Sequence, residues 1–131
     1  MAEDPFEQAA AIYMDAHGEI RDILNVLPIR ISLANPFVEG ATPDEAWQII
    51  QTARALIREV PGITDEVRAS IQKAVLDLIA MHDVFTAMIR NSDPERLTVI
   101  LHLALSIRSS ILNARTSLMI QKIREGDDER G

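Results

Sequence analysis

Three short stretches of this chain repeat one pattern, and that pattern restricts the fold more than anything else in the sequence. Asp4-Pro5-Phe6-Glu7, Thr42-Pro43-Asp44-Glu45 and Ser92-Asp93-Pro94-Glu95 each place a capping side chain three residues before a glutamate, with a proline in the first turn. The cap satisfies an N–H that the helix leaves open, and the proline costs nothing where its missing N–H would be unpaired anyway. Thr64-Asp65-Glu66 opens a fourth segment with the same acidic first turn, which complements the helix dipole. Four starts in 131 residues predict an all-α, four-helix bundle-like fold in a single domain spanning 1–131. The expected helices cover about 5–27, 43–60, 65–91 and 93–124, with an extended connection over 28–42 and an acidic tail over 125–131.

Apolar spacing assigns a core face to each helix. Phe6, Ala9, Tyr13, Ala16, Ile20, Ile23 and Leu27 step by threes and fours, the spacing of a bundle seam, with Gly18 as either a close approach or a weak point. The second helix offers Ala46, Ile49, Ile50, Ala53, Leu56, Ile57 and Val60, flanked by Trp47 as a half-buried edge residue. The third offers Val67, Ile71, Val75, Leu78, Phe85 and Ile89, with His82 as a hydrogen-bonded core histidine and Ala69, Ala80 and Ala87 as a strip suited to close helix contact. The connection holds Pro28, Asn35, Pro36 and Gly40, and Ile29, Ile31 and Leu33 alternate with polar residues. It reads as an extended arm packed by one apolar edge, whose 14 residues from Pro28 to Ala41 could reach about 46 Å, on its own bundle or a neighbour's.

The last helix inverts the charge of the chain. The protein carries a net charge of −7, yet between Arg96 and Arg124 there is no acid, only Arg96, Arg108, Arg115, Lys122 and Arg124. Much of the negative charge sits at the ends, in Glu3, Asp4 and Glu7 and again in Glu125, Asp127, Asp128 and Glu129. At 100° per residue, Leu97, Leu101, Ala104, Ile107, Ile111, Leu112, Leu118 and Met119 form one broad apolar face. Thr98, His102, Ser106, Ser109, Ser110, Asn113, Thr116 and Ser117 fill most of the other. Arg108, Arg115 and Lys122 recur every seven residues inside the apolar face, where an unpaired charge is costly. Three partners are open to them: carboxylates of the same chain such as Asp22, Asp77 or Asp83, carboxylates of a neighbouring subunit, or phosphates, which call for Arg, Lys, Ser, Thr and Asn.

Several chemistries find no residues to carry them. The chain has no cysteine, and His17, His82 and His102 are isolated from one another and from any Glu-x-x-His pair, so neither a metal site nor a cofactor is expected. There is no glycine-rich phosphate loop and no serine nucleophile turn. From Leu97 to Ile107 the chain is apolar if Thr98, His102 and Ser106 are tolerated, which is too short for a membrane span. The opening residues Met-Ala-Glu-Asp lack the basic and apolar regions of a signal peptide.

Two resemblances follow from these residues. Arg96 and His102, with five residues between them, are similar to the Arg-x(4–6)-His signature of HEPN-type ribonucleases, although Leu97 stands where those enzymes place a polar residue. More broadly, four long Ala- and Ile-rich helices, an extended arm, the lack of cysteine and arginine-bearing helix faces resemble the coat proteins of filamentous archaeal viruses. That resemblance implies helical bundles that wrap and line a DNA, sometimes as a pair of related subunits. By residue type it implies Arg30, Arg54, Arg58, Arg108, Arg115 and Lys122 as the side chains facing double-stranded DNA. A basic N-terminal segment is also expected of such a coat, and here the N-terminus reads Met-Ala-Glu-Asp-Pro. The expectation is a non-enzymatic structural protein that assembles with itself or a paralogue, located in a virion. A regulatory or adaptor bundle in the cytoplasm is the alternative, and a ribonuclease comes third.

Overall fold

A computed structural model describes residues 4–33 and 42–130, apart from the side chains of Pro43 and of residues 127–130. Four helices follow one another: α1 (Pro5–Leu24), α2 (Pro43–Ile57), α3 (Asp65–Arg90) and α4 (Pro94–Arg130). Among the described residues there is no strand, so the fold is all-α and bundle-like. Each start is capped. The Asp4 carboxylate accepts from the N–H of Phe6, Thr42 Oγ1 from that of Glu45, and Thr64 Oγ1 from that of Val67. The Thr42 hydroxyl also donates to the Glu45 carboxylate. At α4 the capping residue is Asp93, which accepts from the N–H of Glu95 at 2.9 Å, in place of the expected Ser92.

The helix ends differ from the expected ones, and proline explains why. A proline ring collides with the carbonyl four residues earlier and cannot donate to it, so a helix must stop by that carbonyl. Pro28, Pro61 and Pro94 lie four residues after Leu24, Ile57 and Arg90, which are the last residues of α1, α2 and α3. The expected ends at Leu27, Val60 and Asn91 are corrected accordingly. Beyond Pro94 no proline remains, and the supposed acidic tail continues α4 to Arg130, with Glu125 accepting from the Gln121 amide one turn earlier.

The frame is an antiparallel α3–α4 hairpin. Asn113 Nδ2 donates to Ser70 Oγ at 2.7 Å, Lys73 Nζ donates to Ser106 Oγ at 2.8 Å, and Ser106 Oγ donates to Asp77 at 2.7 Å. On this pair α1 packs antiparallel to α3, with Phe6 stacked on Phe85 and Tyr13 against both Phe85 and His82. Of its expected seam, Ala9, Tyr13, Ala16, Ile20, Ile23 and Leu27 are buried and Phe6 is half-buried. α2 packs against α3 through Ala46, Ile50, Ala53 and Ile57. Its open C-terminal carbonyls are closed by Arg68 of α3, whose guanidinium donates to the carbonyls of Ile57 at 2.6 Å, Arg58 at 3.1 Å and Val60 at 2.7 Å.

The extended connection is seen from residue 28 to 33; Phe37 and the rest of the arm lie outside the described residues. Ile31 and Leu33 are buried in this chain's own core, with the N–H of Ile31 donating to the Leu24 carbonyl, whereas Ile29 is exposed. Two further core assignments need correction: Leu56 and Ile89 face solvent, and on α3 it is Met81 and Met88 that take buried positions. Of the alanine strip, Ala69 and Ala80 are exposed and only Ala87 is half-buried.

Candidate assembly face

Helix α4 carries two apolar seams, where the sequence suggested one broad face. The first runs Ile100, Leu103, Ile107, Ser110, Ala114, Ser117 and Gln121, in steps of three and four. Ile100, Ile107 and Ala114 have no exposed surface, and Gln121 ends the seam by donating to the carbonyl of Gly62. The second runs Leu101, Leu105, Arg108, Leu112, Arg115, Met119 and Lys122, in steps of four and three. There Leu105 and Leu112 are each 64% exposed and Met119 is 59% exposed. A three–four alternation is the spacing that packs one helix along another, and in the second seam every other position of it, from Arg108 on, is a cation.

The reach of α1 decides which seam is covered. Arg108 pairs with Glu19 at 3.3 Å, which sets the end of α1 near the middle of α4. Twenty residues of α1 rise about 30 Å, against about 55 Å for the 37 of α4. Where the two run side by side they enclose a groove of about 200 Å³, floored by Ile12, Ala16, Leu101 and Leu105 and edged by Asp15 and Glu19. Past that level the second seam, joined by exposed Ile120 and Ile123, has no helix packed along it among the described residues.

This geometry relocates the recurring cations. Arg108, Arg115 and Lys122 are exposed along the second seam and are not buried in an apolar face. Arg108 has a carboxylate of its own chain, Glu19, which is not among the three acids expected. Among the described residues no ion pair holds Arg115 or Lys122. The six cations expected to face DNA are distributed over several elements: Arg30 on the connection beside Leu56 and Glu59, Arg54 and Arg58 on α2, the other three on α4. No single element carries all six. The hydroxyl- and amide-rich side of α4 is also partly engaged, since Ser106 and Asn113 bind α3 and Thr98 and Thr116 donate to their own helix backbone.

Sequence reasoning missed Arg68 and Lys73, whose roles depend on which helices meet. Lys73 lies 3.6 Å from Asp77 while donating to Ser106, a polar seam between α3 and α4. The proposed ribonuclease pair separates: Arg96 donates to the Asn91 carbonyl at the α3–α4 corner, and His102 is exposed further along α4. Six residues of helix set the two about 120° apart in direction. Among the described residues no three His, Asp or Glu side chains gather as a metal site.

The apolar run from Leu97 to Ile107 is part of the longer helix α4. Over Pro94–Gly126 it is long and apolar enough, by length and composition alone, to cross a bilayer, because Ser and Thr dilute its apolar character without adding charge. In this fold the buried seam faces α3 and α1, and 28% of the most apolar 18-residue stretch is buried. No protein-family model, curated protein or solved structure matches the chain. The functional reading therefore rests on the residues themselves.

Proposed function

We propose that this chain is a non-enzymatic structural protein that works by assembling with copies of itself. The observation that carries this is the second seam of α4, with Leu101, Leu105, Leu112 and Met119 exposed at helix-pairing spacing. Fully burying one such side chain contributes about 1.5–3 kcal/mol, so covering the seam in a symmetric pair is a strong driving force. A row of large exposed apolar residues, interrupted by a cation every seven residues, on one face of a helix marks an interaction surface.

The coat reading is the narrower form of this proposal. It adds nucleic acid, drawn to cations such as Arg115 and Lys122, and needs neighbouring subunits to gather the six dispersed cations into one surface. The adaptor reading places a foreign helix on the same seam.

Light scattering on the purified chain tests the proposal. The expected result is a dimer or larger assembly that persists after nuclease treatment. Leu105→Glu combined with Leu112→Glu, which touches no buried residue, reduces it to a monomer of unchanged helicity. A chain that is monomeric at micromolar concentration overturns self-assembly. Nucleic acid that co-purifies and weakens its hold steeply with salt supports the coat form, and an assembly free of it removes that form.

A further inference from the structure

We infer that the occupant of the second seam is the same seam of a second copy, lying antiparallel, with its cations meeting the carboxylates of α1. This rests on the self-assembly reading and adds orientation and pairing to it.

The charges select the orientation. In a parallel, in-register pair, Arg108, Arg115 and Lys122 would each face their own copies, three like-charge layers along one interface. Reversing one helix separates them. The exposed apolar residues of this stripe run from Leu101 to Ile123, with Val99 pointing elsewhere on the helix, and their midpoint is Leu112. An antiparallel pair centred there sets Leu112 against Leu112 of the second copy, Leu105 level with Met119, and Leu101 level with Ile123. Every exposed apolar residue of the stripe then has an apolar counterpart.

The same alignment brings opposite charges together. The half of α4 beside α1 is edged by Asp15 and Glu19, at the level of Leu101 to Arg108. The far half carries Arg115, Lys122 and Arg124 without an acid before Glu125. Antiparallel pairing about Leu112 places Lys122 of the second copy at the level of residue 102, beside Asp15, and Arg115 of the second copy at the level of residue 109, beside Glu19. The far half of each α4 thus lies in the α1–α4 groove of the other copy, and the two-fold axis makes both contacts at once. A lipid surface fits the stripe less well, because a cation recurs within it every seven residues.

The chain has no cysteine, so thiols can be placed one at a time without background. Leu105→Cys and Met119→Cys chains are prepared separately, then mixed and treated with a short thiol-to-thiol crosslinker. The proposal expects a Leu105→Cys chain joined to a Met119→Cys chain in the mixture, and little linkage in either alone, where the thiols lie about 21 Å apart along the axis. Linkage of Leu105→Cys to itself and not to Met119→Cys means a parallel pair, which overturns this inference and leaves self-assembly standing. A dimer that links in neither arrangement uses another face and overturns it too. A monomer overturns both readings, and if that monomer floats with phosphatidylcholine vesicles the seam is covered by lipid. For the ion pairs, Asp15→Lys should weaken dimerisation at least tenfold, and Asp15→Lys combined with Lys122→Asp should recover most of it. Equal losses in the single and double variants remove the pairing.

Discussion

Ile107 and Leu105 are two residues apart on one helix, both large aliphatics in a three–four repeat, yet Ile107 has no exposed surface and Leu105 is 64% exposed. Nothing intrinsic to the two side chains separates them. Ile107 faces the α3 hairpin partner, which runs alongside α4 for most of its length, while Leu105 faces the margin of α1, which ends near the middle. The first seam is thus fold information, fulfilled within the chain. The second has the same kind of spacing, but among the described residues no helix runs beside its far half, and the proposed assembly rests on that difference.

The largest effect that would sharpen this contrast comes from truncating both residues. Ile107→Ala removes buried atoms from a closed core and should cost about 2–5 kcal/mol of unfolding free energy. Leu105→Ala should cost a dilute, monomeric chain no more than about 0.5 kcal/mol while weakening association. Urea denaturation at two protein concentrations measures both. Comparable losses for the two variants in the monomer would break the distinction between the seams.

A smaller effect concerns the polar group that α1 buries against α3. The Tyr13 hydroxyl lies 3.1 Å from Nδ1 of His82 within the core, and burial pushes the phenol's pKa above its ordinary value near 10. In the folded state the phenol therefore keeps its proton at pH values where the unfolded chain has lost it. The folded form then binds more protons, so stability is complete below about pH 10 and falls as pH rises above it. Tyr13→Phe should flatten that alkaline limb. It should also lower stability near neutrality by about 1–3 kcal/mol, because His82 loses a buried partner. Chemical denaturation from pH 8 to 11 reads both. An unchanged alkaline slope would mean that Tyr13 is not the titrating group.

How much of this was legible in the sequence follows the same division. Caps act over three residues and prolines over four, so both are local, and the four helix starts stood in the sequence as the structure has them, but for Asp93 in place of Ser92. The helix ends were equally legible in Pro28, Pro61 and Pro94, had the four-residue reach of each ring been applied. The seam of α1 was readable because one apolar stripe meets one polar remainder. On α4 the apolar residues span more than half the circumference, so projection merges two seams into one and places Arg108, Arg115 and Lys122 inside it. Only the lengths of α1 and α3 show where the division falls. Ile89 and Met88 make the same point on α3, since neighbouring apolar residues cannot be ranked until the partner's position is known.

The smallest effect tests whether fold and assembly can be varied separately. Gly18 lies within α1, and a methyl group added there would meet only the guanidinium of Arg21, at 3.9 Å. No neighbouring helix approaches closely enough to require glycine, so its place in the seam of α1 is a weak point and not a contact. Gly18→Ala should stabilise the chain by about 0.5–1 kcal/mol through helix propensity and a less flexible unfolded chain. It alters no residue of either seam of α4, so the dissociation constant of the assembly should stay unchanged within error while the denaturation midpoint rises. If dissociation weakens or tightens in step with stability, α1 is not a fixed wall of the groove but a helix whose ordering is part of association, and the two seams are coupled through it.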